Sequence, residues 1–119
     1  MLPPPIYDER PGATTAVVAF GTSHWGTSEA RDRLEKEFDV LLDYARLLAL
    51  PFAPGLGDWL GRYETVFVVE QNRDAQLVTL LKDAFPHLAT RFASIRQYDG
   101  LPLDATTVVE GVLAHGGPR

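Results

Sequence analysis

Two runs of β-branched and aromatic residues, Thr14–Phe20 (TTAVVAF) and Thr65–Glu70 (TVFVVE), constrain the fold of this chain more than any other feature. Neither carries a polar side chain in its middle, so both faces of each strand need cover, the pattern of strands inside a parallel sheet flanked by helices. Helical signals follow both runs. Gly26, Thr27 and Ser28 open a helix in which Ala30, Leu34 and Phe38 recur at i, i+4 and i+8, and Arg31, Asp32, Arg33, Glu35 and Lys36 make the charged opposite face. After Glu70, Asn72 or Asp74 caps a helix whose Leu77, Leu80, Leu81, Ala84 and Phe85 repeat at helical spacing until Pro86. Alternation of this kind implies right-handed crossovers and a mainly parallel sheet covered on both faces.

The remaining segments fit the same plan. Asp39 to Phe52 is densely apolar and closed by Pro51 and Pro54, which suits a buried central strand, with a helix as the alternative because alanine and leucine serve both. Gly55 to Arg62 (GLGDWLGR) places Leu56, Trp59 and Leu60 on one side of one or two helical turns. Arg91 to Gln97 (RFASIRQ) alternates like an edge strand and stops at Tyr98-Asp99-Gly100, a turn signal. Pro102, Asp104 and the Thr107-x-x-Glu110 pair open a last helix carrying Val108, Val109, Val112 and Leu113, which Gly116, Gly117 and Pro118 end. Four of the nine prolines lie in the first dozen residues, so residues 1–13 read as an extended arm ahead of a single domain at 14–119.

With 119 residues there is room for one core, and 45% apolar against 23% charged residues is a globular balance. Eleven basic residues face sixteen acidic ones for a net charge of -5, and the basic ones are scattered, which argues against nucleic acid as a partner. The apolar run Leu47–Pro54 contains two prolines and falls far short of the roughly 20 residues that cross a bilayer. Met1 to Pro5 lacks the basic start and apolar stretch of a signal peptide, so a cytoplasmic protein without membrane contact is expected. There is no cysteine for disulfides, thiolate nucleophiles or iron–sulfur ligation, and His24, His87 and His115 share no HxxxH spacing.

The segment from Val68 to Leu77 (VVEQNRDAQL) resembles a stretch typical of 2-oxoacid:ferredoxin oxidoreductase α subunits, particularly those acting on 2-oxoglutarate. Three further blocks fall in the family's order: Gly21-Thr22-Ser23-His24-Trp25, Leu50-Pro51-Phe52, and Tyr98 to Ala105 (YDGLPLDA). The resemblance covers about Pro5 to Val112 and implies the transketolase C-terminal-like domain II of the α subunit. That is a three-layer α/β/α unit of about five strands, with one antiparallel strand that would lie near Ile6 to Glu9. In the family, thiamine diphosphate with magnesium is held through a GDG motif and an asparagine of the partner chain. A YPITPS-type segment sits in another α domain, and electrons leave through cysteine-bound iron–sulfur clusters. None of these motifs is in this sequence, so the cofactors are expected in partner chains or domains, such as the α N-terminal region and the β subunit. The chain reads as a split-gene subunit, an excised domain or a repurposed remnant, non-catalytic by itself and expected to self-associate or bind partner subunits.

No catalytic, cofactor or metal residue is therefore assigned. The candidate interface or ligand edge comprises Gly21, Thr22, Ser23, His24, Trp25, Phe52, Glu70, Asn72, Arg73 and Tyr98, all following parallel strands and expected to converge where such sheets collect their sites. Gly21 to Gly26 reads as a tight turn with a helix cap, with anion binding as the sharper alternative. Glu70 ends an apolar strand, and its carboxylate is expected to take the backbone amides of Gly21–Ser23. Trp25 and Trp59 are large for so small a domain, and at least one should lie at an interface. A stand-alone module that binds a small anion at this edge is the competing function.

Overall fold

Proline and glycine decide where the ambiguous apolar segment stops being a strand. The computed structural model describes residues 3–71, 76–97 and 103–115, the Thr22 side chain excepted. In chain order it contains β1 (Ile6–Asp8), β2 (Thr15–Phe20), a 3₁₀ turn (Gly21–Ser23), α1 (His24–Phe38), β3 (Leu42–Leu47) and α2 (Leu56–Leu60). There follow β4 (Thr65–Glu70), α3 (Gln76–Ala84), a 3₁₀ turn (Pro86–Arg91), β5 (Phe92–Arg96) and α4 (Ala105–Ala114). Within the segment 39–52 only Leu42–Leu47 is strand, because Pro51 and Pro54 have no amide for a ladder and Gly55, at φ 91°, turns the chain into α2.

The five strands form one sheet in the order β1-β3-β2-β4-β5. β1 pairs antiparallel with β3, and the other pairs are parallel. This is the α/β architecture expected from the sequence, and the odd strand near Ile6 is the one that the family resemblance implied. The proline-rich arm supplies that strand. Successive side chains of β2 enter opposite layers: Val18 joins Trp59, Leu60, Leu77 and Leu81 beneath α2 and α3, whereas Val17 joins Leu34, Phe67, Val108 and Val112 beneath α1 and α4.

Several sequence expectations are corrected. α1 begins at His24 rather than at Gly26, so Gly26 lies inside the helix, where a Cβ would come 2.7 Å from the Leu103 carbonyl oxygen. Glycine thus lets α1 approach the segment that leads into α4. Arg31 belongs to the buried stripe Thr27, Ala30, Arg31, Leu34 and not to the solvated face; it is 2% exposed. Its Nε and Nη2 donate to the Leu42 carbonyl at 2.9 and 2.7 Å, Nη2 also donates to the Asp8 carbonyl at 3.0 Å, and Nη1 lies 3.3 Å from the Asp8 carboxylate. The guanidinium is tolerated inside because each buried donor meets a carbonyl or a carboxylate. Phe38 and Leu80, counted as inward-facing by their spacing, are exposed.

At α4 the capping residue is Asp104, whose side chain accepts from the Thr106 amide at 2.8 Å; Thr107 lies in the first turn and does not open the helix. Asn72 and Asp74, the expected caps of α3, and the Tyr98 to Gly100 turn lie outside the described residues. The arm is held by charged contacts. Arg10 bonds Glu35 at 2.7 Å and Asp32 at 2.8 Å, its amide donates to buried Asp43, and Glu9 accepts from the Trp59 indole at 2.7 Å.

Candidate functional site

The carboxyl ends of β2, β3 and β4 share one edge of the sheet, and the loops leaving them meet there. A cavity of about 250 Å³ opens between them, lined by Phe20, Ser23, Leu50, Glu70, Gln71 and Leu80, among others. Ser23 and Glu70 are thus brought together as expected, but not by the expected bond. The Glu70 carboxylate, 4% exposed, accepts from the Leu77 amide at 2.9 Å and the Val78 amide at 3.3 Å. These are first-turn amides of α3, free of intrahelical partners and at the positive end of the helix dipole. β4 runs directly toward that helix, so these donors outcompete the Gly21–Ser23 amides. Ser23 Oγ instead donates to Gln71 Oε1 at 3.2 Å.

His24 and Trp25 face a different neighbourhood. The His24 ring stacks on Tyr44, with centroids 5.7 Å apart and planes 9° apart, and its Nδ1 lies 3.2 Å from the Tyr44 hydroxyl. Burial, and then the charges of Arg46 and Arg31, hold the His24 pKa below its ordinary value, while burial pushes Tyr44 up to about 12. Imidazole and phenol are both neutral near pH 7. Because the folded state resists protonating His24, the unfolded chain takes up the proton first, and the stability due to this group is present above pH 6.5 and lost as pH falls through the lower folded pKa. The thermal midpoint is therefore expected to drop below pH 6.5 more steeply in the parent chain than in His24→Gln; parallel profiles for the two, followed by circular dichroism, would contradict this.

Trp25 is 81% exposed, 5.0 Å from the His24 ring, whereas Trp59 is 7% exposed inside the core. Phe52 is half-buried against Phe85 and lines two neighbouring apolar grooves. Gly21 lies beside Arg46, whose Nε is buried with no hydrogen-bond partner among the described residues. Asn72, Arg73, Tyr98 and the side chain of Thr22 lie outside the described residues. Gln71, Leu50 and Leu80 line the cavity without having been among the candidate edge residues, although Gln71 lies in the segment Glu70 to Arg73 expected to converge there. Leu50 carried a signal, since it stands in the Leu-Pro-Phe block that follows the strand.

No family model and no curated protein matches the chain. A solved structure does, at a TM-score of 0.76: 2-oxoglutarate:ferredoxin oxidoreductase from Magnetococcus marinus, with 2-oxoglutarate, coenzyme A and succinyl-CoA bound. The two share a fold. Identity is 21% over 92% of this chain, which spans 19% of the length of the oxidoreductase chain.

Proposed function

We propose that this chain is a non-catalytic structural and interface domain of a thiamine diphosphate-dependent 2-oxoacid:ferredoxin oxidoreductase, in the place of the transketolase C-terminal-like domain of the α subunit, with 2-oxoglutarate as the 2-oxoacid. The observation that carries the reading is the fold shared with about a fifth of one oxidoreductase chain, joined to the VVEQNRDAQL phrase at the end of β4. Its own residues do not suit the cofactors such enzymes need. It has no cysteine for a cluster, and among the described residues no three His, Cys, Asp or Glu side chains stand together to hold a metal. In this reading thiamine diphosphate, magnesium and the iron–sulfur cluster belong to partner chains or domains.

Trp25, Leu48, Leu50 and Leu80 are exposed, and apolar side chains of this size fit a face that neighbouring domains cover. The competing reading, a stand-alone anion-binding module, draws on Arg46 beside Gly21. It loses the α3 amides, which Glu70 already occupies. Purification from the native host should recover the chain with larger oxidoreductase subunits. Trp25→Ser should weaken that assembly about tenfold or more while changing stability by less than about 0.5 kcal/mol. A strictly monomeric particle in light scattering, with no such subunit recovered, overturns the reading.

A further inference from the structure

We propose that the cavity beside Glu70 receives a lysine or arginine side chain of the adjoining domain, its cation on the Glu70 carboxylate and its aliphatic stem against Leu50 and Leu80. The inference rests on reading this chain as an interface domain.

Charge complementarity selects the occupant. Glu70 is 96% removed from solvent by its exposure of 4%, yet among the described residues it has no ion-pair partner. A carboxylate offers about four lone-pair sites, and among the described residues the Leu77 and Val78 amides use two of them. A buried charge without a counter-charge is costly, and the helix dipole offsets only part of that cost. The polar part of the lining is Glu70 with Ser23, Gln71 and Gln76, so its one formal charge is negative; Gln71 Oε1 already accepts from Ser23. Its walls, Phe20, Leu50, Leu77 and Leu80, are apolar. That combination of an anionic end and a greasy shaft matches a long cationic side chain, which buries its methylenes and keeps its head on polar partners. An anionic guest would meet Glu70 directly, and the net charge of -5 favours a cationic approach at longer range.

The probe is n-butylguanidinium, titrated into the 119-residue chain and followed by amide chemical shifts, with n-butanol and pentanoate as neutral and anionic controls. Saturable shifts at Ser23, Gln71, Leu77 and Val78 with the cation alone are expected, and Glu70→Gln should weaken them about tenfold or more. Leu80→Glu guards against a Glu70 variant that fails to fold. Leu80 is exposed, so the substitution spares the core, and a second carboxylate at the rim should tighten the cation about threefold. Equal response to butanol, or affinity unmoved by both substitutions, overturns the proposal. So does saturation that appears only in Arg73→Gln, which would make the chain's own Arg73 the occupant. Assembly without cation binding refutes this inference alone; cation binding without assembly refutes the assignment to the oxidoreductase.

Discussion

Arg31→Ala is expected to cost about 3 to 5 kcal/mol of folding free energy, a large part of the roughly 5 to 15 kcal/mol that holds such a domain together. Arg31 sits where three elements meet: it leaves α1 and donates to carbonyls of Leu42 at the start of β3 and Asp8 at the end of β1. Truncation leaves the Leu42 carbonyl without this donor and opens a cavity over the Tyr44 ring, where the guanidinium carbon lies 5.4 Å from the ring centroid. Arg31→Met separates the two losses, since it refills the volume without restoring the donors. Its midpoint in urea should fall between those of Arg31→Ala and the parent. An Arg31→Ala midpoint within error of the parent would mean the side chain is solvated after all.

Trp59→Ala should cost about 3 to 5 kcal/mol as well, for a different reason. The indole packs between Tyr7 and Tyr63, with centroids at 4.9 and 4.8 Å, and its Nε1 donates to Glu9 at 2.7 Å. It therefore fills the core beneath α2 and tethers the arm that carries β1. The variant should be cleaved by protease near Ile6–Asp8 well before the domain unfolds, whereas Glu9→Gln, which keeps an acceptor for the indole, should leave both cleavage and melting nearly unchanged. Equal protease resistance of Trp59→Ala and the parent would show that the charged contacts of Arg10 hold the arm unaided.

The elements most legible in the sequence were those whose periodicity answers to one demand. β2 and β4 announced themselves because a strand covered on both faces must be apolar throughout. α3 and α4 were readable because one stripe of each meets the sheet, although Leu80 shows that apolar spacing overshoots when an edge of the stripe is left uncovered. The strand at Leu42–Leu47 was half legible. Alanine and leucine serve helix and strand alike, and pairing with β2 and β1 made the choice.

The sequence by itself determined the alternation of strands and helices, the mainly parallel sheet that this alternation implies, and the need for Glu70 to find donors at the end of an apolar strand. Tertiary structure decided which donors those were, because among the described residues the carboxylate accepts from first-turn amides of α3 and not from the loop after β2. It also decided that Trp59 is interior and Trp25 exposed, two residues that composition cannot tell apart. Arg31 is the sharpest case: a helical wheel assigns every guanidinium to water, and only the carbonyls that β1 and β3 bring within 3.0 Å make its burial tolerable. Hydrophobic pattern is a property of neighbours along the chain, whereas the satisfaction of a buried polar group depends on residues far away in it.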